Sequence, residues 1–370
     1  MSYRDLFRRI MSYDHFDKMP VVHWDEWKET RERWIREGLP RHGDDHLFFR
    51  APSMWETLIA PDSWLGVGSP ADVINIGLFP AFEEEVLEDN GRFRVLRNKD
   101  GTVSKEFLHE TSMPQYLDHS FKTASDWEMY KKRLQPDLAR ISPRADLALR
   151  GLSESDLPVC FPVGSLMGWA RNWMGLENLS YLMHDDRDVF SDIVGTIADL
   201  TCWMMDQILP RMRVDIAHVW EDMSGVNGPL ISPEVFKECV APGYLKIRNR
   251  LDAYGVHLLE MDTDGDVSRF AGDLLDSGVN VLFPVEVGTF KGDAVALRNR
   301  YGKDLRLVGN LDKMALERGR DAVSAEIERL LPLMRQGGYI VLPDHHITPG
   351  VSLQMYCWYL DEIRTMRFPA

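Results

Sequence analysis

The second half of the chain repeats one pattern: a short apolar run, then ionisable residues, then an amphipathic stretch. VDIAHVW (214–220) leads into Glu221 and Asp222, and VHLLEM (256–261) leads into Asp262, Asp264 and Asp266. VNVLFPV (279–285) leads into Glu286, LRLVGNL (305–311) carries Asn310 and runs into Asp312, and GGYIVLP (337–343) leads into Asp344, His345 and His346. LPVCFPVG (157–164) opens the series. Between most neighbours the spacing is helical. In 321–335, Val323, Ile327, Leu330, Leu331 and Met334 share one face, and Gly337-Gly338 stops the run. Helices are also predicted over 176–210, with a polar break at His184-Asp185-Asp186, and after Ser232-Pro233. Continuous apolar strands joined by helices make a parallel sheet covered on both faces.

The first half is less regular. Residues 3–18 read as a helix and Pro20–Trp24 as a short first strand. An irregular, tryptophan-rich region follows to about residue 80. Residues 84–108 alternate polar and apolar positions around Asn90-Gly91 and Asp100-Gly101, which predicts an antiparallel meander. Ser125 with Glu128 reads as a capping box opening the next helix. The fold expected is α/β: a (β/α)8 TIM barrel, one domain over 1–370, with an N-terminal helical extension and the small antiparallel β meander inserted near residues 84–108. A doubly wound open sheet is the alternative. It would gather its ionisable groups at one switch point, whereas here they follow at least five strands, as on a barrel's catalytic rim.

Composition narrows the choice of ligand. A net charge of −15 and a pI near 5.2 argue against nucleic acid or an anionic membrane as partner. No stretch approaches the ~20 apolar residues of a membrane span, and the charged N-terminus does not read as a signal peptide. Cys160, Cys202, Cys239 and Cys357 lie far apart with no CxxC pair, which predicts reduced thiols and a cytoplasmic protein.

Asp262-Thr263-Asp264-Gly265-Asp266 is the densest chemical site. Two carboxylates on alternate residues at a strand end share a proton or bind a cation, although one of them capping the next helix is a plain alternative. With His345 they offer oxygen and imidazole ligands for zinc or another divalent metal, or a metal-free acid–base set. Glu221, Asp222 and Glu286 are the catalytic candidates, because a carboxyl in an apolar barrel mouth holds its proton to higher pH. His23, Trp24, Trp220 and His346 are candidates for contact with substrate. Gly66-Val67-Gly68-Ser69-Pro70-Ala71 matches GxGxxA but follows no strand, and Pro70 removes an amide, so a dinucleotide site is not expected.

Several blocks, in order, resemble the uroporphyrinogen decarboxylase superfamily, which also holds corrinoid-dependent methyltransferases. They are FDKMPVV, WARNWMGLENLSYLMHDD, GPLISPEVFKECVAPGYLKI, FPVEVG, LRLVGNLDK and GGYIVLPDHHITPGVSLQMYCWYLDEIR. The resemblance implies a (β/α)8 barrel. The arginine-bearing glycine-rich motif that grips porphyrinogen carboxylates has no counterpart in VVHWDEWKETRERW, which places the chain nearer the methyltransferase branch. The zinc methyltransferases of that branch carry His-x-Cys and a distal Cys. Asp262-Thr263-Asp264 falls on the first and His345 on the second, so hard ligands stand where thiolates would be. What the resemblance then implies is transfer of a methyl group from a small O- or N-methylated substrate to a corrinoid carried by a separate protein, assisted by a metal or an acid at the rim. A decarboxylase (carboxy-lyase) and a non-catalytic ligand-binding barrel are the alternatives, and pairing of the barrel with a copy of itself stays open.

Overall fold

The computed structural model describes residues 2–23, 26–39, 73–108, 114–154, 156–288 and 290–368. Trp24, one of the expected substrate contacts, and the GxGxxA match lie outside them.

Six parallel strands form the central sheet: β5 (Cys160–Gly164), β6 (Ile216–Trp220), β9 (Leu259–Asp262), β10 (Val281–Phe283), β11 (Arg306–Val308) and β12 (Tyr339–Ile340). Their order in the sheet is β12-β11-β10-β9-β6-β5, so each strand lies beside its predecessor in the series. That is the order of a barrel, in which every crossover helix returns the chain one place along. A minimal hairpin, β7 (Ser224–Gly225) with β8 (Gly228–Pro229), follows β6 at the rim. The strand expected at Pro20–Trp24 forms no ladder at 21–23. The chain instead joins the sheet one step later, where Glu26 bridges Ile347 in parallel, just beyond β12.

The meander is present as β1 (Glu85–Asp89), β2 (Phe93–Arg97), β3 (Val103–Phe107) and β4 (Gln115–Asp118), in that order. Gly91 takes φ 77° at its first turn, where a side chain is disfavoured. Two further expectations are corrected. The first helix is only Tyr3–Met11. It ends because Tyr13 turns left-handed (φ 59°) and packs among Arg298, Lys303 and Arg306. The capping box is Thr123 with Asp126, two residues earlier than read, and it opens a 3-10 turn before the helix Trp127–Lys131.

The core runs through the barrel and its helical coat. The long helix Arg187–Ile208, capped by Asp186, buries Phe190, Ile193, Ile197 and Met205. On the N-terminal helix Leu6, Phe7 and Ile10 are buried. Arg4 and Arg8 of that helix reach Asp215 at 2.9 and 2.5 Å, while Asp215 Oδ2 accepts from Val159 N at 2.7 Å. The extension is thereby tied to the entry of two strands, opposite the end where the ionisable residues lie. Among the described residues, no helix is long and apolar enough to cross a membrane. Cys160, Cys202 and Cys239 are buried and Cys357 is half-buried, all as free thiols.

Candidate active site

The rim is assembled by strand register. Trp220 pairs with Asp262, and Asp262 with Phe283, so the ends of β6, β9 and β10 reach one level. Beyond β9 the chain is pinned on both sides. Thr263 N donates to Phe283 O (2.9 Å), and Thr263 Oγ1 accepts from Met223 N (2.9 Å). Asp264 N donates to Asp222 Oδ1 (3.3 Å) and Gly265 N to Glu286 Oε2 (3.3 Å). Gly265 has φ 93°, and a Cβ there would lie 2.4 Å from Ser224 O. Glycine is therefore required for the turn that presents the aspartates.

Five of the expected residues converge. Ligand atoms of Asp264, Glu286 and His345 lie within 4.8 Å of one another, as do those of Asp222, Asp262 and Asp264. Asp264 belongs to both groups. The ligand set read from the sequence, Asp262 with Asp264 and His345, is thus divided: Glu286 takes the third place beside His345, and Asp222 the third place beside Asp262. His345 Nδ1 accepts from His346 N (2.8 Å), which leaves Nε2 directed at Asp264 Oδ2, 3.6 Å away. Holding a cation through Nε2 requires the ring to carry its proton on Nδ1 and release that contact.

Burial and mutual repulsion act on these acids in the same direction. Burial, then the charges of Asp264 and Asp222, pushes the Asp262 carboxyl well above the usual carboxylate range. Asp222 is raised by burial and then by Asp264. Glu286 is raised to about 7 by burial and Asp264, against the pull of His345 and Lys313. Two cations flank the cluster. Arg171 Nη2 is 3.6 Å from Asp222 Oδ2, and Lys313 Nζ is 3.8 Å from Glu286 Oε1. Arg171 also lies over the ring of half-buried Trp220, 5.2 Å from its centroid. His346 is half-buried, and its ring meets that of Trp27 edge-on at 5.7 Å.

Two expected residues are turned away from this chemistry. Glu221 is fully buried, and its carboxylate accepts from Leu166 N (2.6 Å), Met167 N (3.0 Å), Gly168 N (2.7 Å), Ser165 Oγ (3.0 Å) and the Tyr244 hydroxyl. It caps the start of the helix Gly168–Met174 and welds that helix to β6. With its lone pairs occupied it has no access to a substrate, which corrects its assignment as a catalytic acid. His23 is also buried. Nδ1 contacts Tyr356 Oη (2.7 Å) and Nε2 contacts Glu26 Oε2 (2.8 Å), so both nitrogens are spent and it is not a substrate contact. Asp344 is likewise a brace, accepting from Val287 N and Lys313 N at 2.7 and 2.9 Å.

Sequence reasoning missed a layer below the rim. His218 on β6 pairs in register with Glu260 on β9, and His218 Nδ1 lies 3.0 Å from Glu260 Oε2. Each is two residues before a rim residue, so the period of a strand places it on the same face. That period was the available signal. Arg171 and Lys313 were missed as well, although both stand within or beside the blocks WARNWMGLENLSYLMHDD and LRLVGNLDK.

The fold and rim define a (β/α)8-barrel protein with clustered carboxylates and histidine at the C-terminal ends of its strands. The model for "Uroporphyrinogen decarboxylase (URO-D)" matches residues 108–366, and the chain belongs to that family. Among solved structures it is similar to a methyltransferase from Methanosarcina mazei, at 16% identity and TM-score 0.61, covering 99% of this chain and 100% of that one. At that identity the likeness shows the fold. No curated protein matches.

Proposed function

We propose that this chain is a methyltransferase that moves a methyl group from a small O- or N-methylated substrate to a corrinoid protein docked over the rim. The observation that carries the reading is the convergence of Asp222, Asp262, Asp264, Glu286 and His345 at the barrel end where such enzymes keep their chemistry. Family membership and a fold shared with a methyltransferase support it.

The donor atoms fit a hard or borderline divalent cation, since no cysteine belongs to either group. Asp264, Glu286 and His345 would hold it. Bound there, such an ion supplies a Lewis acid for the heteroatom that loses the methyl group. The chain's own residues do the rest. In the metal-free protein Glu286 keeps a proton near neutral pH and would pass it to a leaving oxygen. Asp222, fixed by Arg171 and by the Asp264 amide, holds the aspartate turn in place. Trp27, whose ring stacks 6.5 Å from that of His345, and Trp220, beneath Arg171, would exclude water from the methyl carbon.

Demethylation of small methyl ethers and methylamines, assayed with a reduced corrinoid protein and with or without zinc, tests the proposal. Turnover that disappears when Asp262 and Asp264 are both replaced by alanine is the expected result, and undiminished turnover by that variant sinks the site assignment. A carboxy-lyase is the second reading. The raised Glu286 favours it, because the same proton suits a carbanion left by loss of carbon dioxide. Carbon dioxide release without any corrinoid protein would establish that alternative.

A further inference from the structure

The meander has no part in the methyl-transfer reading, yet its second turn forms one wall of a separate cleft. The turn is closed by Asn98 N donating to Thr102 O (2.8 Å) and Gly101 N to Asn98 O (2.9 Å). It is seated on the helical coat by Tyr130, whose hydroxyl donates to Asp100 O (2.9 Å). Gly101 has φ 86°, and a Cβ there would lie 2.7 Å from the Tyr130 oxygen, so this seat requires glycine. Phe82 N donates to Lys99 O (2.9 Å). Lys99 and Asp100 are thereby held opposite the helix Gly168–Met174.

That helix has two working faces. At the rim, Gly168 N donates to Glu221 Oε2 (2.7 Å) and the Arg171 guanidinium to Glu221 O (3.2 Å). Trp169, Asn172 and Trp173, three and four residues apart, share another face. They line a cleft of about 330 Å³ together with Lys99, Asp100 and Gly77, a size suited to a small organic molecule. The half-buried ring of Trp169 is held in place. A Cβ on Gly164 would overlap it, and Trp173 meets it at 6.0 Å between centroids, itself backed by Tyr130 at 5.3 Å. Asp100 Oδ1 accepts from Thr102 N (3.0 Å) and Thr102 Oγ1 (2.7 Å), which fixes the carboxylate and leaves Oδ2 without a hydrogen bond among the described residues. The side chains of Lys99 and Asn172 make neither hydrogen bond nor ion pair among those residues.

A cation and an anion thus line one cleft without pairing with each other, beside an aromatic plate. A ligand with one charge is drawn to one of them and repelled by the other, and a ligand with none leaves both unmet. From this lining we infer that the cleft binds a small zwitterion with a planar apolar group, of the class of the aromatic α-amino acids. Lys99 takes the carboxylate, Asp100 takes the ammonium, and the aromatic group lies on Trp169. The Asn172 amide donates to the carboxylate or accepts from the ammonium. No bond forms or breaks. The site is independent of the methyl-transfer reading, although one helix contributes to both places.

The test is a ligand-observed NMR titration of the full chain with four probes. Phenylalanine carries every feature, phenylethylamine lacks the carboxylate, phenylpropionate lacks the ammonium and glycine lacks the ring. Phenylalanine should bind saturably, and about threefold or more tighter than each of the others. Lys99→Met should remove its advantage over phenylethylamine. Asp100→Asn, which keeps an acceptor for Thr102, should remove its advantage over phenylpropionate. A merely apolar cleft would bind the three ring compounds alike in parent and variants, and that result overturns the inference. So does the absence of saturable phenylalanine binding, or a selectivity that survives both substitutions. Should one variant fail to fold by circular dichroism the other decides, since each charge is read against its own probe. Demethylation enters none of these measurements, so failure of the methyl-transfer reading leaves this inference standing, and the reverse holds as well.

Discussion

At the scale of single residues, carboxyl groups of one chemistry take opposite roles according to what surrounds them. Glu221 and Asp222 are neighbours at the end of β6. Five donors close around the first, while the second turns left-handed (φ 47°) and faces the aspartate turn. Glu221→Ala should therefore act on stability. It leaves buried amides and a tyrosine hydroxyl without an acceptor, and denaturant unfolding should show a loss of at least about 3 kcal/mol. A variant as stable as the parent would mean that the helix start is held by something else. Glu286 should behave differently. Its folded carboxyl titrates at about 7, above the ordinary 4.5, so between these values the native state binds the extra proton. Stability then falls as pH rises through that window, by at most about 3 kcal/mol for this group. Glu286→Gln removes the loss. In chelator-treated protein the variant should gain on the parent between pH 4.5 and 7.5, and a difference independent of pH would show that Glu286 ionises in the ordinary range.

At the scale of elements, the site depends on loops whose geometry leaves little freedom. Asp264 and Glu286 are aligned because the turn between Asp262 and Asp266 passes under the Ser224 carbonyl, at a point where only hydrogen fits on Gly265. Gly265→Ala meets both a left-handed backbone, costing roughly 1–2 kcal/mol, and a backbone clash that must move β7 or the turn. It should lower divalent-cation affinity at the rim by about tenfold or more, read by chelator competition, because ligand placement within half an ångström is lost. This level also shows what could be read in advance. The strand ends were legible because buried parallel strands are written as unbroken apolar runs, and the break between 176–185 and 187–208 because Asp186 is a capping residue. The rim residues Asp222, Asp262, Asp264, Glu286 and His345 followed from position alone. Glu221 did not, since its direction is set by Ser165–Gly168, more than 50 residues away in the chain. The first strand was misplaced because PVVHW has the composition of a strand while its pairing is decided by Ile347. His218 and Glu260 were passed over because each is embedded in an apolar run, although the strand period points them at the same space.

At the scale of the whole molecule, the cluster is a meeting of distant segments. Its groups come from the ends of β6, β9 and β10 and from the chain beyond β12, and they assemble only in the folded barrel. An ion that needs three of them binds the native state and not the unfolded chain, so its binding energy becomes stability. At a hundredfold excess over its dissociation constant the gain is about 2.7 kcal/mol, a shift of a few degrees in a chain of this length. The net charge of −15 adds a long-range attraction for cations that salt screens, while contacts inside the partly buried cluster are screened less. The two parts are separable. Zinc or manganese should raise the melting temperature of chelator-treated protein at physiological ionic strength, and the rise should largely survive further salt. Asp264→Asn, which touches both ligand groups, should abolish it, whereas Glu85→Gln on the exposed meander should leave it unchanged despite removing the same unit of charge. A thermal rise lost equally in both variants would mean that the ions act through the protein's overall charge, and the rim would then have no specific cation site.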